Sequence, residues 1–199
     1  IAAGQRSGRD AVALKLPFRI SPMSFFQTNP LAAERLYGHI RHWVRQVAPD
    51  YLHDLYGGMG GIAFTCADLV RHVWSVEEVS AASEDGRHIA GMLGIDNVTF
   101  ITDRVRNYLM GLLADKGLPP RSAVIADPPR SGMNPKAVRR LLEARPSRIL
   151  YVSCNPKILA GELPAFLEFY ELTGLKAVDM FPHTRHVEVL ADLSLRREV

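Results

Sequence analysis

Cys154 follows the apolar run Arg148-Ile149-Leu150-Tyr151-Val152-Ser153 and precedes Asn155-Pro156. Such a run predicts a buried parallel strand, and ligands of open α/β sheets gather just beyond the carboxyl ends of their strands. A cysteine displayed there can serve as a nucleophile in its thiolate form. Its other reading is a small core hydrophobe, the commoner state of a free cysteine. A second reactive edge follows Ser122-Ala123-Val124-Ile125-Ala126, where Asp127-Pro128-Pro129-Arg130-Ser131-Gly132 begins. Two adjacent prolines have fixed φ angles and no N–H groups, so Pro128 and its neighbour form a rigid wall on which a flat base can rest.

A third edge lies at Tyr51-Leu52-His53-Asp54-Leu55-Tyr56-Gly57-Gly58-Met59-Gly60-Gly61, a predicted strand, glycine-rich turn and helix start. Glycines let the backbone come close to a ligand and point N–H groups at it. The turn opens on Asp54 and its glycines are more tightly spaced than in the dinucleotide fingerprint. That carboxylate suits a cationic group, such as the amino-acid portion of S-adenosylmethionine, better than a pyrophosphate. About 20 residues later the strand His72-Val73-Trp74-Ser75-Val76 ends in Glu77, the spacing at which a carboxylate takes the hydroxyls of a ribose. Asp103, after a strand at Asn97 to Ile101, is either an adenine contact or the cap of a helix over 104–113. Upstream, Phe25-Phe26-Gln27-Thr28-Asn29-Pro30 sets an amide, Gln27, beside two aromatics that either plug the sheet or flank a ligand.

The elements that must position these residues alternate between strand and helix. Helical spacing is read over 31–47, 80–93, 104–113, 135–144 and 156–169, and strands over 51–55, 72–77, 97–101, 122–126, 149–153, 175–180 and 191–195. This order implies an α/β fold, a doubly wound and mostly parallel sheet with helices on both faces. Residues 1–30 read as an entry segment, with a possible strand at Val12 to Leu16, and 31–199 as one domain. With 199 residues, 47% hydrophobic and 23% charged, the chain can bury one full core. No apolar run spans a bilayer and no signal-peptide core opens the chain, which implies a cytoplasmic protein without a membrane partner. Cys66 and Cys154 are too few and too unlike in context for a disulfide framework or a cysteine-based metal site, and no metal is predicted. The net charge of +3 and the arginines at 130, 139, 140, 145 and 148 are compatible with phosphate contacts or with a solvated helix face.

Taken together, Phe25-Phe26-Gln27-Thr28-Asn29, Asp54 to Gly60, Asp127-Pro128-Pro129-Arg130, Ser153-Cys154-Asn155 and Met180-Phe181-Pro182-His183-Thr184 with His186-Val187-Glu188 resemble the bacterial RNA uracil-5 methyltransferases. The resemblance runs in order over roughly 16–195. It implies a class I methyltransferase fold, S-adenosylmethionine as cofactor and RNA as partner. The stretch from Met180 to Thr184 is more similar to the 23S ribosomal RNA branch than to the transfer RNA branch. By this resemblance Cys154 is the nucleophile that adds to uracil C6 and Glu188 the base that removes the C5 proton. Gln27, Tyr56, Gly58, Glu77 and Asp127 match cofactor-contacting positions, Asp127 also lying near the base. Asp54 orders the glycine loop or meets the cofactor's amino group, and Arg130 holds a phosphate or the uracil. His183 and His186 order the site or pack.

Gly57 departs from the family's cysteine or other small side chain, and Ser75 from a frequent glycine. Family members commonly carry an N-terminal RNA-binding barrel and often cysteines for an iron-sulfur cluster. Neither is visible here, so the chain reads as a catalytic fragment or a minimal member, and any such cluster belongs to parts not present. Two other readings use the same glycine loop. One is an N-methyltransferase that needs no Cys154; the other is a non-catalytic RNA-binding domain.

Overall fold

The computed structural model describes residues 30–180, 184 and 187–196. The chain opens with α1 (Pro30–Val47), then β1 (Tyr51–Leu55), α2 (Gly61–Cys66), β2 (His72–Glu77), α3 (Ser80–Leu93), β3 (Val98–Thr102) and α4 (Val105–Ala114). It continues through β4 (Ser122–Ala126), α5 (Pro135–Ala144), β5 (Arg148–Ser153), α6 (Pro156–Leu167), β6 (Tyr170–Val178) and β7 (Glu188–Leu195). The strands form one seven-stranded sheet in the order β3-β2-β1-β4-β5-β7-β6. Pairs β3/β2, β2/β1, β1/β4 and β4/β5 are parallel, and β7 runs antiparallel to both β5 and β6. This is the doubly wound sheet expected from the alternation of elements.

Period-two alternation divides the sheet between two cores. Leu52, Val73, Ala123, Ile125, Leu150, Val152 and Leu190 face α1 and α2, where Leu36, Ile40, Trp43 and Val44 of α1 complete one apolar cluster. Leu55, Val76, Val124, Ala126, Ile149, Tyr151 and Leu193 face the opposite way, onto Leu109 of α4, Leu141 of α5, and Leu159 and Phe166 of α6. Each fully buried leucine or isoleucine stabilises the fold by about 1.5–3 kcal/mol. Several helix ends follow from local chemistry. Asn134 accepts from the Lys136 N–H at 2.9 Å ahead of Pro135. Gly94 closes α3 in a left-handed turn at φ 64°.

The largest differences from the sequence reading are the starts of the last two strands. β6 starts at Tyr170, directly after α6, and its exposed residues Glu171, Leu175 and Lys176 mark it as an edge strand whose polarity hides it. β7 starts at Glu188 rather than Ala191, because pairing on both sides extends the strand toward the turn.

His53 is fully buried in β1, stacked on Trp74 at 4.8 Å between ring centroids, with Nδ1 2.6 Å from the Tyr108 hydroxyl. Burial, helped by the charge of His72, pushes its pKa down to about 3. Below about pH 6.5 the unfolded chain therefore takes up a proton that the folded chain refuses, and this group's contribution to stability is lost as pH falls. His53→Gln keeps a polar group without the titration. Its stability relative to the parent chain should improve by about 1.4 kcal/mol for each pH unit below 6.5. Urea midpoints for both chains at pH 7.5 and pH 5.0 read that difference, and an unchanged difference would refute it.

Candidate active site

The register of the sheet assembles the site. Asp54, Ser75 and Glu77 share the strand face that carries Leu52 and Val73, and Glu188 shares the face of Leu190. Asp127 and Cys154 are the next residues after β4 and β5, in step with Ile125 and Val152. All six therefore belong to the face covered by α1 and α2, at the carboxyl edge of the parallel strands. Glu188 reaches that edge only because β7 is reversed. Ser153 pairs with Val189, so one further step of the same register sets Cys154 opposite Glu188. The turn holding Cys154 is braced by the Asn155 N–H donating to Ser153 Oγ at 3.1 Å.

The electrostatics of this edge are those of crowded carboxyls. Asp54 is fully buried, and burial pushes its pKa up to about 7, opposed by the hydrogen bond from Ser75 and the dipole of the nearby Ala63 amide and assisted by Glu77. Asp127 is half-exposed as a residue, yet its carboxyl is enclosed. Desolvation first, then Glu188 and Asp54, push its pKa up to about 8. Burial also raises Glu188. The Cys154 thiol is raised above its ordinary value by desolvation, then by Glu188 and Asp127, with Arg130 pulling the other way. Asp54 and Asp127 make folding less favourable as pH climbs from about 4 toward their raised values, since the unfolded chain ionises first. A bound cation would relieve that cost.

The glycine loop offers a cradle for such a ligand. Gly58 sits at φ +55°, and a Cβ added there would touch nothing within 4 Å. Glu77 is held in place by two backbone donors, Gly58 N–H to Oε2 at 3.1 Å and Val79 N–H to Oε1 at 2.8 Å. Asp54 Oδ2 accepts from Ser75 Oγ at 3.1 Å, whereas buried Oδ1 has no hydrogen-bond partner among the described residues. A partnerless buried oxygen is costly unless a ligand satisfies it. The set fits a molecule with a cationic amino-acid end and a ribose, which is the chemistry of S-adenosylmethionine. Asp103 continues the same edge, its N–H bonded to the Glu77 carbonyl at 3.0 Å. Its Oδ1 accepts from the Arg104 N–H at 2.7 Å and Asn107 Nδ2 at 2.8 Å, so the carboxylate braces the start of α4.

Pro128 is buried, and Pro129 and Arg130 are exposed. The loop carrying them is tied to α6 by Asn155 Nδ2, which donates to the Arg130 carbonyl at 3.2 Å, and by the Met133 N–H, which donates to Glu162 Oε1 at 2.9 Å. Glu162 Oε2 accepts from the Tyr151 hydroxyl at 2.6 Å. Glu162 thus links the Pro-Pro loop to the helix that starts just after Cys154, a role that its place in an amphipathic helix concealed. Tyr37 of α1 was equally hidden. A Cβ on Gly61 would lie 2.7 Å from its hydroxyl, and burial followed by the charges of Asp127 and Asp54 pushes its pKa up to about 12. Tyr56 occupies the left-handed region at φ 66°, and its ring packs into the opposite core. Cys66 is fully buried, as its helix position suggests. Gln27, Phe25, Phe26, the possible strand at Val12 to Leu16, His183 and His186 lie outside the described residues.

This strand order, with its reversed seventh strand and ligand edge, defines a class I S-adenosylmethionine-dependent methyltransferase domain. Residues 11–196 match the family described as tRNA (uracil-5-)-methyltransferase, and the chain belongs to that family. An uncharacterized RNA methyltransferase of Caldanaerobacter subterraneus is 40% identical over 187 residues, covering 92% of this chain and 40% of the relative. The 23S rRNA (uracil(747)-C(5))-methyltransferase RlmC of Vibrio cholerae is 38% identical over 175 residues, covering 88% of this chain and 45% of its own. The crystal structure of Pyrococcus abyssi tRNA (uracil-54, C5)-methyltransferase in complex with S-adenosyl-L-homocysteine superposes with a TM-score of 0.74. It is 30% identical and covers 95% of this chain and 46% of that one. The chain spans less than half the length of each of these relatives.

Proposed function

We propose that this chain carries the catalytic machinery of an RNA uracil-5 methyltransferase, with residues 31–199 as its catalytic domain, 1–30 as an entry segment and 23S ribosomal RNA as the substrate. The observation that carries the reading is the antiparallel register that sets Cys154 opposite Glu188, beside Asp127. The RNA preference rests on the similarity to RlmC enzymes.

S-adenosylmethionine supplies, when bound, an electrophilic methyl group on a sulfonium sulfur. Asp54 would take its ammonium, the Gly58 backbone would lie against it, the oriented Glu77 would receive its ribose hydroxyls and Asp103 would border the adenine. Gln27 would complete this set by its match to the family, and Tyr56 only through its backbone, because its ring is turned into the opposite core. Pro128 and Asp127 face the target base, which is flipped out or already unpaired, and Arg130 holds a neighbouring phosphate or the uracil.

Uracil C5 is a poor nucleophile until the Cys154 thiolate bonds to C6 and the C5–C6 π electrons move to C5, delocalised as an enolate. C5 would then accept the methyl group that a bound cofactor would supply, the sulfonium sulfur keeping the electron pair of the bond that breaks. Glu188 removes the C5 proton, and the C–H electrons re-form the C5–C6 double bond. The C6–S bond breaks and Cys154 departs as thiolate. The raised affinity of Glu188 for protons suits it to the third step.

Methyl-labelled S-adenosylmethionine with a 23S rRNA transcript, followed by digestion to nucleosides, tests the reading. Label in 5-methyluridine is the expected result. Label on an exocyclic or ring nitrogen would replace it with the N-methyltransferase reading. Low ionic strength is required, because phosphate contacts weaken steeply with salt.

A further inference from the structure

Gly57 and Ser75 exclude each other's side chains. The φ of Gly57 is not in the left-handed region, so its backbone admits any residue, and space alone keeps it bare. A Cβ on Gly57 would stand 2.0 Å from Ser75 Oγ and 2.7 Å from Asp54 Oδ2. Ser75 is fully buried on β2, is the register partner of Asp54 on β1, and donates to Asp54 Oδ2 at 3.1 Å. The same loop residue is otherwise well tied, its N–H bonding to the Val76 carbonyl at 3.0 Å and its carbonyl accepting from the Gly60 N–H at 2.8 Å.

We propose that Ser75 is a positioning residue for the cofactor's amino-acid end and that Gly57 and Ser75 act as one exchangeable unit. The inference rests on the reading of this loop as the S-adenosylmethionine site. The Ser75 hydroxyl occupies the volume that a side chain at 57 would fill and approaches Asp54 from the neighbouring strand instead of from the loop. With Oδ2 so engaged, the carboxyl is turned to leave Oδ1 for an incoming ammonium. Gly57 and Ser75, far apart in the sequence, therefore compete for one volume beside Asp54.

The groups that share a field with Asp54 are Glu77 on β2, Asp127 after β4, Tyr37 on α1 and Cys66 on α2. Ser75 opposes the rise in the Asp54 pKa. Without its hydroxyl, Asp54 ionises at higher pH, and cation binding shifts to higher pH with it.

Calorimetric titration with S-adenosylmethionine, on the parent chain and on Gly57→Ser, Ser75→Gly, Ser75→Ala and the Gly57→Ser/Ser75→Gly double variant, tests the unit. Unfolding temperatures are recorded in parallel. Ser75→Gly and Ser75→Ala should each bind about tenfold more weakly or worse, the loss of one hydrogen bond to a charged group, and Gly57→Ser at least as weakly, because its Cβ would stand 2.0 Å from Ser75 Oγ and 2.7 Å from Asp54 Oδ2. Ser75→Ala should also move the pH dependence of binding upward. The double variant returns a hydroxyl beside Asp54, and removing Ser75 Oγ frees the carboxyl to rotate away from the new Cβ. Its affinity should recover to within a few-fold of the parent. Single-variant losses that simply multiply in the double variant would overturn the exchange, and Ser75→Ala with parental affinity and pH profile would overturn the positioning role. A parent chain that binds no S-adenosylmethionine would instead overturn the reading of the loop and the positioning role together. The unfolding temperatures would still show whether the two positions exchange.

Discussion

Replacing Cys154 by alanine is expected to abolish uridine methylation, lowering turnover on the order of 10⁴-fold or more, while S-adenosylmethionine affinity stays within about twofold. The separation arises because Cys154 follows β5, two strands away from β1 and its Asp54, the nearest of the carboxylates assigned to the cofactor, and is itself only half-buried. RNA carrying 5-fluorouridine sharpens the measurement. Fluorine replaces the proton that must leave C5, so the C6–S bond formed in the first step persists and denaturing mass spectrometry detects the protein–RNA adduct. Cys154→Ala should give no adduct at the same RNA and cofactor concentrations. Methylation that survives the substitution would eliminate covalent catalysis and favour direct transfer to a nitrogen.

Glu188→Gln should reduce turnover by about 10²–10⁴-fold, the usual contribution of a placed general base. Its signature differs from that of Cys154→Ala. Thiol addition and methyl transfer precede proton removal, so with ordinary uridine the variant should accumulate a methylated covalent adduct instead of losing it. A second readout needs no RNA. Desolvation first and the charge of Glu188 next hold the Cys154 thiol above its ordinary pKa, so neutralising Glu188 increases the thiolate fraction near pH 8. Alkylation of Cys154 by iodoacetamide should therefore be faster in Glu188→Gln than in the parent, whose rate should continue to climb beyond pH 9. Slower alkylation, or loss of turnover without an adduct, would mean that Glu188 supports the strand rather than the chemistry.

Much of this architecture is legible in local sequence. Ser122–Ala126, His72–Glu77, Ser80–Leu93 and Pro135–Ala144 have the boundaries that periodicity, the closing Gly94 and the N-terminal Pro135 indicate. Their signals are short-range, with apolar residues at period two or near 3.6 and a turn residue at each end. Only the second half of β6 is read from the sequence, because the register shift between Leu172 and Gly174 breaks the period that Tyr170 and Leu172 begin. The start of β7 is similarly obscure, since what extends it to Glu188 is pairing with β5 and β6.

The candidate residues divide along the same line. Sequence alone determined which side chains could react, because the carboxyl, thiol and glycine chemistry of Asp54, Gly58, Glu77, Asp127 and Cys154 stands at strand ends wherever those strands lie. Tertiary structure decided which of them meet. Cys154 and Glu188 are separated by a helix, a strand and a turn in the chain, and become neighbours only through the reversal of β7. Tyr37 and Glu162 join the site's surroundings from helices whose periodicity announced packing alone. Gly57 and Ser75 read as separate departures until the pairing of β1 with β2 places one hydroxyl in the space of the other's missing side chain. Periodicity is a property of a single segment, whereas strand order, direction and excluded volume are properties of segments brought together, and the chemistry of this edge depends on the second kind.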